Sequence, residues 1–137
     1  SNPFNAGECL DLVHQIYSFM PILGVCLGHQ ILGVYFGAQI DTLKIPMHGK
    51  VSNIKKINEC KIYKNINMNF QATRYHSLYL NRDNFPKNLK ITSISDDDKK
   101  IMSFRHELFS IFGVQYHPES IETVIGSKIV DNFMECI

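Results

Sequence analysis

Apolar positions recur three and four residues apart at Leu10, Val13, Ile16, Tyr17 and Met20, a spacing that predicts a helix from Gly7 to Phe19. Pro21 stops it. The pattern then changes: Ile22 to Val25 is a short apolar run with no polar alternation, as expected of a strand buried on both faces of a parallel sheet. Helical spacing returns from Leu27 to Phe36 and ends at Gly37. The middle of the chain reads differently. "KVSNIKKI", "NFQATRYHSLYL" and "LKITSISDDDKKIMSFRH" are strand-like runs broken by Asn, Asp and Pro, with Ser95 to Asp98 as a hairpin loop. "HELFSIFGVQYH" continues this meander, and Val124, Ile125, Ile129, Val130 and Phe133 predict a last helix over 121–134. Helix, buried strand and helix followed by a meander point to an α/β domain. Such sheets ordinarily carry strands before the one at Ile22, so the order of elements predicts that the first strands are lacking.

Composition narrows the picture without redirecting it. The chain has 137 residues, 45% hydrophobic and 20% charged, which fits one globular domain over 1–137. A net charge of +1 gives no electrostatic case for nucleic acid or an anionic membrane, and Lys55, Lys56, Lys61 and Lys64 read as solvated edges. No apolar run reaches membrane-spanning length and no signal peptide opens the sequence. Cys9, Cys26, Cys60 and Cys136 have no short repeated spacing, so they read as free thiols in a reducing, cytoplasmic setting.

The candidate chemistry lies in "GVCLG", residues 24–28, where the buried strand meets the second helix. A strand turning into a helix through Gly-x-nucleophile-x-Gly is a nucleophile elbow, here with Cys26 in the nucleophile position. The turn lifts the sulfur to the carboxyl end of the sheet and sets it at a helix N-terminus, which favours thiolate. A lowering of about two units from the ordinary thiol value near 8.5 would make thiolate the main form at neutrality. The backbone N–H of Leu27 is the expected oxyanion donor. The competing reading, a small buried hydrophobe, leaves both glycines unexplained.

A thiolate needs a base. His14 falls within the first helix, His29 points down the second, and His106 sits near a hairpin turn. His117, in "GVQYHPES", ends an apolar strand and is held extended by Pro118. Glu119, two residues on, projects to the same side and can orient the imidazole, although it could instead cap the last helix. Cys26 with His29 has zinc-like Cys-x-x-His spacing, which His76, His106 or His117 could complete. No second paired motif accompanies it and a zinc site has no use for the elbow, so no metal and no cofactor is expected.

"GVCLGHQ" and "GVQYHPES", in this order and separation, resemble the two signature motifs of class I, triad-type, glutamine amidotransferases. The resemblance implies a flavodoxin-like three-layer α/β domain with an antiparallel subsidiary sheet. It also implies hydrolysis of L-glutamine through a cysteinyl thioester, with ammonia passed to a synthase. Carried across, Cys26 is the nucleophile, His117 the base and acid, and Glu119 its orienter. Gln30 and Leu27 contact substrate, and Ser77 and Leu78 of "RYHSLYL" hold the glutamine through their backbone, which leaves His76 a local role. "PMHGKVSNI" and the long segment from Ile101 to Phe133 resemble the amidotransferase subunits of anthranilate synthase and aminodeoxychorismate synthase. The implied partner is therefore a chorismate-using synthase subunit in a hetero-oligomer. Two departures stand out. "SNPFNAG" resembles the residues just after a Pro-Gly-Pro-Gly loop that supplies the family's other oxyanion N–H, and Val51-Ser52-Asn53 replaces Thr-Ser-Pro. The alternatives are a free-standing γ-glutamyl cysteine hydrolase that uses the same triad without a partner, or, lacking that loop, an inactive truncated partner-binding module.

Overall fold

The computed structural model describes residues 7–137. The first six residues, where the sequence resembles the segment following the family loop, lie outside the described residues. The elements are α1 (Gly7–Ile16), β1 (Ile22–Val25), α2 (Leu27–Tyr35), β2 (Ile40–Lys56), a 3₁₀ turn (Lys61–Tyr63), β3 (Asn69–Leu80), β4 (Leu89–Ser95), β5 (Ile101–His106), β6 (Ile111–Val114) and α3 (Gly126–Met134). They form one six-stranded sheet of order β1-β6-β5-β4-β2-β3. β1 pairs with β6 in parallel, Gly24 opposite Gly113. The other neighbours pair antiparallel, so the parallel strands and the meander share one continuous sheet.

Side-chain alternation along the strands builds a core on each face. On one face Ile111, Phe104 and Leu80 pack with Val13 of α1 and with Ile31 and Leu32 of α2. On the other, Phe112, Val114 and Met102 pack with Ile62, Tyr63 and Ile129 of the 3₁₀ turn and α3. The result is a three-layer α/β domain. No helix among the described residues is long and apolar enough to cross a membrane.

Four local expectations change. α1 ends at Ile16, three residues before the predicted end, and Phe19 is exposed. In β1 only Gly24 is fully buried, because among the described residues the strand has a neighbour on one side alone. β2 continues through Pro46, where the register against β3 shifts between Thr42 and Met47 and releases the proline from the ladder. The last helix starts at Gly126 instead of Ile121. Ile121 and Val124 are 94% and 83% exposed, so their helical spacing marks a turn-rich surface segment.

Candidate active site

Cys26 is the single residue between β1 and α2, and it adopts φ 54, ψ −103, a left-handed corner that few non-glycine residues accept. Strain of this kind costs about 1–3 kcal/mol and persists only where the surroundings enforce it. Two backbone bonds do so: Cys26 N–H donates to the Val114 carbonyl at 2.8 Å, and its carbonyl accepts from Gln30 N–H at 3.2 Å. Gly24 makes the corner possible. A Cβ there would lie 2.6 Å from the carbonyl carbon and oxygen of Gly28, so only glycine lets α2 pass so close to β1. Gly28 carries no such constraint, since a Cβ on it would meet nothing within 4 Å.

The sulfur is half-buried, and its thiol donates to the Tyr75 carbonyl of β3 at 3.4 Å. Burial pushes the Cys26 thiol up from its ordinary value, the Leu27 backbone N–H pulls it down, and the Glu119 charge pushes it up again. The helix N-terminus was expected to lower this thiol, but desolvation outweighs it.

The strand β6 delivers the second half of the site. His117 and Glu119 join through His117 Nδ1 and Glu119 Oε2 at 2.7 Å, which leaves the ring's Nε2 for proton transfer. Thr73 of β3 fixes this segment three times. Its carbonyl accepts from His117 N–H at 3.0 Å, its hydroxyl accepts from Ser120 Oγ at 3.2 Å, and its N–H donates to Thr123 Oγ1 at 3.0 Å. The His117 ring meets Tyr75 edge-on at 5.3 Å between centroids. Tyr75 thus touches both the sulfur and the imidazole, and the structure brings Cys26, His117 and Glu119 to one end of the sheet.

Gln30, buried in the first turns of α2, donates to the Leu78 carbonyl at 3.0 Å and to Gln115 Oε1 at 3.1 Å. The Leu78 carbonyl also takes a bond from His76 Nδ1 at 2.7 Å, while Ser77 between them is exposed. Behind His76 lies Arg74, whose side chain is fully buried and forms two hydrogen bonds to Asp98 at 3.0 and 2.9 Å. Leu27, Gln30, Ser77 and Leu78 therefore border the corner that carries Cys26.

Three residues escaped the sequence reading: Tyr75, Arg74 and Gln115. Gln115 carried a signal, since a wholly buried glutamine at the end of an apolar strand requires a polar partner. The remaining histidines lie elsewhere. His14 pairs with the Tyr35 hydroxyl at 2.6 Å, His48 is exposed on β2, and His106 Nδ1 accepts from Leu108 and Phe109 N–H in the β5–β6 turn. His29 is fully buried, and its pKa is pushed down to about 3 by desolvation. Among the described residues no three His, Cys, Asp or Glu side chains are placed to hold a metal ion.

The chain is similar in sequence and fold to known proteins. The profile of the glutamine amidotransferase class-I family matches residues 1–136. Anthranilate synthase component 2 of Saccharolobus solfataricus is 45% identical over 130 residues, covering 93% of this chain and 66% of that protein. Aminodeoxychorismate synthase component 2 of Serratia marcescens is 38% identical over 135 residues, covering 96% of this chain and 70% of that protein. The chain thus spans about two thirds of the length of these relatives. Among solved structures, a Thermoplasma acidophilum protein superposes with a TM-score of 0.85 at 24% identity over 98% of this chain and 67% of that one. A glutamine amidotransferase of Thermotoga maritima does so with a TM-score of 0.73 at 21% identity, over 97% of this chain and 53% of that one. A cysteine elbow facing a His–Glu pair, on a fold shared with these structures and under a family match across the chain, places this protein among the class I glutamine amidotransferases.

Proposed function

We propose that the protein hydrolyses the side-chain amide of L-glutamine and supplies the ammonia to a chorismate-using synthase subunit. Cys26 attacks the amide carbon, and His117 takes the thiol proton and gives it to the departing ammonia. Water, deprotonated by His117, then cleaves the thioester to glutamate and restores the thiol. Glu119 holds the imidazole and stabilises its charged form. The Leu27 N–H is the donor aimed at the developing oxyanion. Gln30 and the Ser77–Leu78 backbone hold the amino-acid end of the substrate.

One observation carries this reading: the strained Cys26 corner and the 2.7 Å His117–Glu119 pair converge on Tyr75. The choice of partner is supported by the named relatives, which are second components of anthranilate and aminodeoxychorismate synthases.

The test is reaction with a diazo-ketone analogue of glutamine, followed by peptide mapping. A single adduct on Cys26, suppressed by glutamine, is the expected result. Equal labelling of Cys9, Cys60 and Cys136, or an adduct indifferent to glutamine, would remove the reading.

A further inference from the structure

We propose that Gln115 is a further catalytic residue, whose side-chain amide N–H groups donate to the Cys26 sulfur and stabilise its thiolate. The inference rests on the glutaminase reading of Cys26.

The orientation of the Gln115 carboxamide follows from its neighbours. Gln30 Nε2 can only donate, so the Gln115 atom it meets at 3.1 Å is the oxygen. The Gln115 nitrogen is thereby turned the other way, and it lies 3.7 Å from Cys26 Sγ. Gln30 is itself held, because the same nitrogen donates to the Leu78 carbonyl at 3.0 Å. Gln115 is wholly buried at the end of β6, and its backbone N–H is anchored on the Met102 carbonyl at 2.8 Å. It therefore presents a fixed donor to the sulfur with little freedom left to lose.

The sulfur needs one. Around it stand the Leu27 N–H from α2, the Tyr75 carbonyl from β3, and His117 and Glu119 beyond β6. The Tyr75 carbonyl accepts from the thiol and so favours the protonated form. The Glu119 carboxylate repels a thiolate. Among the described residues, Gln115 is the donor aimed at the sulfur beside the Leu27 amide, and its strength rises as charge develops there.

The test compares wild type, Gln115→Met and Gln115→Glu, and measures the pH dependence of iodoacetamide alkylation at Cys26 by peptide mapping. Methionine keeps the length and removes the donor. Glutamate keeps the acceptor for Gln30 and turns an oxygen toward the sulfur. Loss of a hydrogen bond to a charged group should raise the alkylation midpoint by about one pH unit, a tenfold loss of thiolate at a given pH. In both variants kcat for glutamine should fall by at least a similar factor, with KM changed little in Gln115→Glu, which keeps the acceptor for Gln30. If Gln115 served only to brace Gln30, Gln115→Met would retain the wild-type midpoint, whereas Gln115→Glu, which sets a carboxylate against the sulfur, raises it in either case. A wild-type midpoint in Gln115→Met overturns the assignment. Shifted midpoints in a protein whose wild type does not hydrolyse glutamine overturn the glutaminase reading instead and leave the thiol–amide contact standing.

Discussion

Arg74 Nε donates to His76 Nε2 at 3.1 Å, and because a guanidinium has no acceptor, this contact fixes the imidazole tautomer. The proton must then sit on Nδ1, which donates to the Leu78 carbonyl at 2.7 Å. His76 is thus a neutral spacer between a buried cation and the backbone proposed to hold glutamine. Its pKa is lowered to about 4, chiefly by desolvation, so it stays neutral at physiological pH. Arg74 is anchored in turn on Asp98, which ties this stretch of β3 to the β4–β5 hairpin.

His76→Leu should therefore affect both stability and substrate affinity. It strands the Arg74 Nε–H in a buried site, which costs about 1–3 kcal/mol. It also removes one of two side-chain donors from the Leu78 carbonyl. Thermal unfolding should fall by several degrees, and KM for glutamine should rise more than kcat falls. An unchanged melting temperature, or a loss confined to kcat, would contradict this account.

Of three buried histidines, His29 and His76 carry the largest share of the acid limit of the fold. His29 and His76 titrate near 3 and 4 in the native protein against an ordinary value of 6.5, because burial penalises their charged forms. As pH falls through 6.5 the unfolded chain takes up protons that the native chain refuses, so stability declines from there to about pH 4. Each histidine contributes a slope of about 1.4 kcal/mol per pH unit within this window. Asp98 acts lower. Its burial is outweighed by Arg74 and Ser95, which hold it near 2 against 3.8, so its share of stability is lost only below 3.8. Urea unfolding at a series of pH values should show the decline, and His29→Phe should roughly halve its slope. A free energy flat between neutrality and pH 5 would count against it.

Cys26 and Glu119 should respond to one substitution in opposite senses. Burial holds the thiol above its ordinary value, with Glu119 a secondary cause. Neutralising that charge in Glu119→Gln should lower the alkylation midpoint of Cys26 and make the resting protein more reactive toward iodoacetamide. The same change weakens the partner of His117 Nδ1, so kcat should fall by at least about tenfold, with about 10⁴ as the ceiling for losing an orienting carboxylate. A mapped alkylation profile beside steady-state glutaminase assays checks both signs. A midpoint that rises would mean that the carboxylate does not act on the sulfur.

The elbow and the His117–Glu119 pair were legible because each is local: a short apolar run, a glycine, and two side chains separated by one proline. Arg74 and Asp98, or Gln30 and Gln115, are joined only once β3, the hairpin and β6 converge, and no spacing along the chain announces such pairs. Desolvation of Cys26 was hidden for the same reason, since the helix N-terminus is readable from sequence while burial depends on the whole sheet. The last helix was misjudged because Ile121 and Val124 keep helical spacing on a surface that no helix covers. Its true start is set by Gly126, whose need for a missing Cβ depends on a residue eight positions earlier.

That contact yields a sharper test of how the imidazole is held. A Cβ on Gly126 would fall 1.6 Å from the Pro118 carbonyl oxygen, so the first turn of α3 rests directly on the peptide between His117 and Glu119. Gly126→Ala must displace either α3 or the His117–Glu119 segment. The segment is braced by the His117 N–H bond to the Thr73 carbonyl at 3.0 Å, and α3 by packing of Ile129 in the core, so neither yields freely. The overpacking should cost about 1–3 kcal/mol. Because Gln30 and Leu78 lie outside the disturbed segment, kcat should drop while KM for glutamine holds. Gly28→Ala is the matched control for stability: its Cβ meets nothing within 4 Å, and alanine in a helix is favoured over glycine by about 0.5–1 kcal/mol. Thermal unfolding of the two variants should therefore move in opposite directions. A Gly126→Ala protein as stable and as fast as wild type would show that α3 does not position the His117–Glu119 pair.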